Sequence, residues 1–350
     1  MSPSVTHPSS PQSADVAEIP IIDLSSLRSP LLEDRQKLAG QVYDACTNVG
    51  FFYIKNHGIP EELITEAQSM ARRFYSLPDD QKMNYYMGKS KKYRGYMPLY
   101  SENSTGSKGE DPTEQNTMGT LSESFDFGYE IAADAQRAVD DVLPPDPFSL
   151  YGGNQWPSDE LVPGFRETYL RYFSQVLDLG RRMMRTFALA LDLEEGFFDD
   201  KTKYPGATLR VMHYPPQPVE GEIAEGLGAH TDYECFTILA QNQVPALQIH
   251  SNTHQEWILA PPIPGTLVVN IADYLSVWTN KKFKSTKHRV VNLTGQERYT
   301  IPFFFGVDYD TTVSVLPNCI SEDRPACSEP FKAGAYVRQM LGKAYVGYKG

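Results

Sequence analysis

Cysteine is scarce in this chain. Its four thiols among 350 residues, Cys46, Cys235, Cys319 and Cys327, have no metal-ligand spacing and no secretory context, so they read as reduced. Cys235 is expected to be a buried packing thiol. Basic residues are also in deficit, 32 Lys and Arg against 44 Asp and Glu, and a net charge of -12 argues against nucleic acid or an anionic membrane surface as partner. No uninterrupted apolar run approaches a membrane span. The first residues lack the basic start and apolar middle of a signal peptide, and Tyr345 to Gly350 carry no prenylation or peroxisomal signal. The expectation is a soluble, cytoplasmic protein. No internal repeat is visible.

What the chain does have is apolar material, 41% hydrophobic and 12% aromatic, enough for a substantial core. Residues 1–18, rich in Ser and Pro, read as a disordered tail. Ile19 to Leu24 reads as a short strand, Leu31 to Asn48 as a helix with Leu38, Val42, Ala45 and Cys46 on one face, and Phe51 to Ile54 as a buried strand. His57 falls in a turn and is expected to order it by a hydrogen bond. Pro60 opens a helix striped by Leu63, Ala67, Met70, Ala71 and Phe74. Glu160 to about Leu193 carries the longest helical pattern, in which Gly180 implies close packing against a sheet and Arg181, Arg182 and Arg185 read as a solvated face. After Asp200 the texture turns to short strands separated by Pro and Gly: Thr208 to Tyr214, Ala229 to Gln241, Leu247 to His250, Trp257 to Leu259, Thr266 to Ile271, His288 to Leu293 and Tyr299 to Val307. Such spacing indicates a β-sandwich or jelly roll.

Within this half, Gly226 to Gln241 reads GLGAHTDYECFTILAQ. On a strand, His230 and Asp232 would share a face, with Thr231 on the other. One imidazole and one carboxylate two residues apart suit a small cation, but in a chain with seven His a surface polar pair is the simpler account of this motif alone. A second segment changes the balance: His288 opens an apolar strand, and Arg298 and Thr300 stand two apart on the next. Two imidazoles and a carboxylate on one face of an iron leave three coordination sites open, the arrangement of non-haem Fe(II) oxygenases. A guanidinium fork with a hydroxyl beside it suits the far end of a dicarboxylate.

These motifs, H-T-D at 230–232, K-H-R-V at 287–290 and R-Y-T at 298–300, preceded by R-V-M-H-Y-P-P at 210–216, resemble the Fe(II)/2-oxoglutarate dioxygenases of the isopenicillin N synthase-like family. Ile19 to Leu24 and Gly50 to Ile59 look like that family's leading strands, so the resemblance covers nearly the whole chain. Within it the chain is most similar to small-molecule hydroxylases of the thymine 7-hydroxylase kind and fungal natural-product oxygenases. The resemblance implies a β-rich α+β fold: a double-stranded β-helix (jelly roll) core at about 205–310 with flanking α-helices, in a single domain over 19–350. It implies Fe(II) held by His230, Asp232 and His288. It further implies 2-oxoglutarate held by Arg298, Thr300 and Tyr214, and dioxygen as oxidant. Oxidative decarboxylation to succinate and carbon dioxide would drive oxidation of a substrate C-H bond by hydroxylation, desaturation or rearrangement. Met212 stands where many relatives have Asn, and Thr300 where they have Ser.

The same resemblance places the segment 91–129 over the mouth of the site. Arg210, Phe304, Tyr233, Tyr96, Phe125 and Phe127 are the expected contacts to a small organic substrate, with Arg210 as a polar anchor. Strand alternation turns Phe303 and Phe305 away into packing, and Val290 and Leu247 add an apolar wall. Pro302, which cannot donate to a ladder, suggests an edge or a bulge. Asn270 and Asp273 read as structural turn residues, His213 as structural, and His250 and His254 as surface residues. Three alternatives stay open at this point: a 2-oxoglutarate-independent oxidase like isopenicillin N synthase, a zinc hydrolase on the same triad, and a binding protein that has lost catalysis.

Overall fold

Helical and alternating apolar patterns follow one another along the chain, and the elements follow the patterns. The computed structural model describes residues 19–102, 120–138, 140–218, 223–251 and 253–345. The expected tail over 1–18 and the middle of the 91–129 segment lie outside them. Strand β1 (Ile21–Asp23) pairs in parallel with β2 (Phe51–Lys55), and helix α1 (Leu32–Asn48) joins them with Leu38, Val42, Ala45 and Cys46 buried. Pro60 caps α2 (Glu61–Tyr75) and Pro78 caps α3 (Asp79–Lys82). His57 orders its turn, its Nδ1 accepting the Ile59 N-H at 3.2 Å. Strands β3 (Gly95–Met97) and β4 (Glu123–Gly128) pair antiparallel, and α4 (Phe165–Ala190) follows. Then come β5 (Thr208–Tyr214), β6 (Leu227–His230), β7 (Phe236–Gln241), β8 (Leu247–Ser251), β9 (Glu256–Leu259), β10 (Thr266–Ile271), α5 (Asp273–Trp278), β11 (His288–Val290), β12 (Arg298–Phe305), β13 (Thr312–Val313), β14 (Phe331–Lys332) and α6 (Ala333–Ala344). No helix among the described residues is long and apolar enough to cross a membrane.

Two sheets face each other in a jelly roll. The larger runs β1-β2-β10-β7-β12-β5-β4-β3 and the smaller β6-β11-β8-β9. Four strands of the larger sheet come from the chain's first half, so that half contributes more than flanking helices. The outer face of the large sheet buries Ile238, Ile301, Phe303 and Phe305 against α1, α2 and α4, in one cluster with Phe74, Tyr169, Phe173 and Phe187. Each fully buried aromatic or aliphatic side chain there contributes about 1.5–3 kcal/mol. Gly180 permits the contact: a Cβ on it would lie 2.4 Å from the Phe305 ring. The inner face meets the small sheet in two patches, Phe51, Tyr53 and Val268 with Leu247 and Ile249, and Met212 and Tyr214 with Val290. The site cavity is lined by members of both patches, so a hydrophobic wall stands on either side of it.

Three expectations are corrected here, and one element was not expected at all. Ala229 to Gln241 is not one strand: β6 ends at His230, and β7 begins at Phe236. Pro302 lies in β12, an interior strand between β7 and β5. Its missing N-H interrupts the β5 ladder, which resumes at Phe303 opposite Leu209 in the register it had at Thr300 opposite Met212, so no bulge is needed. Arg181 is buried rather than solvated, gripping Asp134 through two bonds of 2.6 and 2.7 Å, while Arg182 and Arg185 pair with Asp178 and Asp199 near the surface. Finally, α6 had no counterpart in the sequence reading.

Candidate active site

His230 ends β6 and His288 opens β11, and the two are register partners across the small sheet. Their rings are 4.2 Å apart between centroids. Each ring is oriented by its own backbone: His230 Nδ1 lies 2.8 Å from Gly228 O and His288 Nδ1 3.2 Å from Thr286 O. A carbonyl can only accept, so both Nδ1 atoms carry a hydrogen, and in the neutral rings the Nε2 lone pairs are left to face a metal. Asp232, two residues past the end of β6, turns in to meet them. Its Oδ2 accepts from Thr237 Oγ1 at 2.5 Å and from Asn270 Nδ2 at 2.6 Å. Its Oδ1 is left 3.6 Å from His230 Nε2 and 3.7 Å from His288 Nε2.

Three donor atoms thus lie within 4.8 Å of one another. With ligand bonds of about 2.0–2.2 Å to a first-row divalent ion, the edges of a coordination octahedron are about 3 Å, so small side-chain adjustments close the set. The donor types suit Fe(II). Burial above all pushes His288 down to about 4, leaving it neutral and ready to bind, while at His230 burial is outweighed by the facing Asp232 carboxylate, which raises the pKa. Although burial opposes it, the neighbouring imidazoles hold Asp232 below the usual carboxylate range. Asn270, read from sequence as a turn residue, lies in β10 one residue before its end, against the acid, and selects which oxygen faces the metal.

Arg298 opens β12 and is 1% exposed, which makes its partners decisive. Its Nη2 donates to Gln241 Oε1 at 3.1 Å, its guanidinium lies 4.9 Å over the Tyr214 ring, and its Nε and Nη1 have no hydrogen-bond partner among the described residues. Burial lowers its pKa, with only Tyr214 opposing, yet an arginine keeps its charge. A buried cation with idle donors is costly unless an anion arrives. Thr300 stands one pleat further along the same face, and Tyr214, the register partner of Arg298, donates its hydroxyl to Met212 Sδ at 3.1 Å. The residues present therefore fit both groups: a divalent ion at the triad and a carboxylate at Arg298.

The outer cavity corrects several expected contacts. Arg210, Phe304 and Tyr233 line it, as do Val290 and Leu247. Tyr96, Phe125 and Phe127 do not. Phe125 and Phe127 point to the helical side of β4, stacked on each other at 4.8 Å, with Phe127 on Trp156 at 4.3 Å and Phe125 edge-on to Phe74 at 4.9 Å. The opposite face of β4 gives Asp126 to the cavity instead. Tyr96 is buried and donates its hydroxyl to Glu123, which also accepts from Lys82 and meets His213, confirming His213 as structural. Arg210 reaches the cavity already engaged: it holds Asp126 at 2.9 and 2.8 Å, Glu102 at 3.0 Å and the Tyr345 hydroxyl. Sequence reasoning missed Glu102, Asp126, Glu234, Tyr309 and the α6 residues Val337 and Leu341, all of which line the chamber. For Asp126 a signal existed, since two faces of S-F-D-F-G were on offer and the aromatic pair is the natural core face.

A jelly roll that carries two imidazoles and one carboxylate on a common centre, opposite a buried unpaired arginine, defines a class: the non-haem iron oxygenases that use a dicarboxylate co-substrate. The chain belongs to the 2-oxoglutarate/Fe(II) oxygenase superfamily, whose sequence pattern residues 205–307 match, while residues 19–159 match the N-terminal pattern of non-haem dioxygenases in morphine synthesis. It is 36% identical over 335 residues to the 2-oxoglutarate-Fe(II) type oxidoreductase hxnY of Emericella nidulans, covering 93% of this chain and 91% of that one. Over 340 residues it is 35% identical to the 2-oxoglutarate-Fe(II) type oxidoreductase ppzC of Metarhizium rileyi, covering 94% and 88%. T7H of Neurospora crassa, solved with α-ketoglutarate and thymine, superposes with a TM-score of 0.76 at 27% identity, covering 93% of this chain and 97% of that one. The jelly-roll fold, the enzyme class, and Fe(II), 2-oxoglutarate and dioxygen as its requirements all hold as expected.

Proposed function

We propose that His230, Asp232 and His288 hold Fe(II), that Arg298, Thr300 and Tyr214 receive the far carboxylate of 2-oxoglutarate, and that a small organic molecule in the outer chamber is oxidised at a C-H bond. The observation that carries the assignment is Arg298, a buried guanidinium with two idle donors in the cavity that the triad shares. When bound, the metal and co-substrate couple reduction of dioxygen to decarboxylation of 2-oxoglutarate, giving succinate and carbon dioxide, and to two-electron oxidation of the substrate.

The chain's own contribution is binding, orientation and exclusion of water. Gly228 and Thr286 carbonyls fix the imidazoles, Asn270 and Thr237 fix the acid, and Arg298 sets the direction from which the co-substrate reaches the metal. Met212, Leu227, Val290 and Leu247 form an apolar wall. Low local polarity strengthens the Arg298 to carboxylate pairing and keeps water from a reactive centre. A zinc hydrolase would give the buried guanidinium nothing to bind. The likeness to T7H, solved with thymine, supports a small-molecule substrate, and the likeness to the fungal oxidoreductases hxnY and ppzC is in keeping with specialised metabolism. The four free thiols support a cytoplasmic setting, which fractionation of tagged protein tests. Continuity of the large sheet through strands of both halves supports one domain over 19–350.

Anaerobic titration with Fe(II) and 2-oxoglutarate, followed by the metal-to-ligand charge-transfer band, tests the assignment. Arg298→Gln is expected to weaken 2-oxoglutarate by about 10–100-fold while leaving Fe(II) affinity intact. Unchanged co-substrate affinity in that variant would remove Arg298 from the role.

A further inference from the structure

In the outer chamber two acids share one guanidinium. Beyond the triad and the Arg298 compartment, the lining acids among the described residues are Glu102, Asp126 and Glu234, and the guanidiniums Arg94 and Arg210. Of the two, Arg210 is paired with acids, while Arg94 has no acid partner among the described residues and its Nε is left without a hydrogen-bond partner there. Arg210 is saturated by Asp126 and Glu102, and Arg94 donates to the main-chain carbonyls of Tyr93 at 3.0 Å and Leu150 at 2.9 Å. The Arg210 cluster sets two carboxylates against one guanidinium and is net negative, so an ammonium arriving beside it would meet a group able to take it.

That group is Glu102. Its backbone is pinned after β3, its carbonyl accepting from the Thr120 N-H at 3.2 Å while the Tyr100 N-H donates to Thr120 O at 3.0 Å. Only Oε1 engages Arg210, and the other oxygen has no partner among the described residues. A carboxylate offers about four acceptor positions, so Glu102 has capacity left. The side chain is 12% exposed, and it stands near enough to His230 and Tyr233 for its charge to be felt at both. Tyr233 and Tyr309 add aromatic faces that favour a cation, and Val337 and Leu341 of α6 add an apolar wall for the rest of the molecule.

We propose that Glu102 is the substrate anchor and that the substrate carries a cationic nitrogen, such as an amine, guanidinium or protonated heterocycle, on an apolar or flat body whose C-H bond is presented to the metal. This rests on the reading of the site as a 2-oxoglutarate-dependent oxygenase. Arg210, the anchor expected from sequence, becomes a positioning residue that holds Glu102 and Asp126 in place.

The test uses the full chain loaded with Fe(II) and 2-oxoglutarate under argon. Loading is checked first by the charge-transfer band. Phenethylammonium, phenethyl alcohol and 3-phenylpropanoate, which share a body and differ in charge, are then titrated by calorimetry. The ammonium is expected to bind at least about tenfold tighter than the other two. Glu102→Gln, whose amide oxygen can still accept from Arg210, should erase that preference and leave the alcohol within about twofold. Tightest binding by the carboxylate, no advantage for the ammonium over the alcohol, or a preference that survives Glu102→Gln each overturns the proposal. Absence of the charge-transfer band would instead strike the oxygenase reading, and this inference with it.

Discussion

Asp232 would be an ambiguous ligand if both of its oxygens were free. Thr237 and Asn270 occupy Oδ2, and only Oδ1 is left for a metal. Asn270→Ala is therefore expected to weaken Fe(II) binding by about 10–100-fold without unfolding the chain, read by metal titration alongside circular dichroism. A second residue-scale prediction concerns Asp308, whose pKa burial raises to about 6 against the opposing hydrogen bond from the Tyr204 N-H. Because the folded value lies above the unfolded value of about 3.9, the folded chain holds the extra proton between the two. The contribution to stability is complete below about pH 4 and is lost as the pH rises through 6. Asp308→Asn keeps the oxygen that accepts from Tyr204. It should stabilise by about 1–2 kcal/mol at pH 8, after allowance for partial exposure, and change nothing below about pH 4, in melting curves at the two pH values.

At the scale of elements, β4 shows how a strand can be identified and still be read with its faces exchanged. Phe125 and Phe127 are expected at the mouth because the family resemblance places the segment 91–129 there. In the fold they pack under α2 and α4, and the intervening Asp126 faces the chamber. Phe125→Ala should accordingly cost about 3–5 kcal/mol of stability, measured by denaturant unfolding, and leave 2-oxoglutarate affinity nearly unchanged in the folded fraction. A substrate contact would behave the other way round. The motif strands were more legible because their chemistry constrains their faces: Arg298, Thr300 and Phe304 do share the cavity side of β12, while Phe303 and Phe305 pack behind it. For α6 no chemical motif marked the segment. Its short apolar face acquires meaning only by closing the chamber.

For the whole molecule, the large sheet draws strands from both ends of the chain, and its two edges are the early pairs β1-β2 and β4-β3. Neither half can complete the sheet by itself, so the chain is expected to melt in a single transition. Ligands that bind only the folded form move that transition as a unit. Fe(II) with 2-oxoglutarate at about 100 times its dissociation constant should stabilise by about 2.7 kcal/mol, seen by calorimetry under argon as one shifted peak. Two peaks, of which only the later one moved, would show the halves to be independent.

The sequence by itself determined the donor set, the order of the motifs, the class of chemistry and most strand positions. Metal ligation and dicarboxylate binding demand particular side chains, and alternation assigns their faces. Only the tertiary structure decided which charges meet. Arg210 looks like a free anchor along the chain and is neutralised in space by Asp126 and Glu102, which lie 84 and 108 residues away. Pairings over such distances leave no periodic trace in a single sequence. The polarity of the substrate chamber is set by them, and so became readable only once the strands were placed side by side.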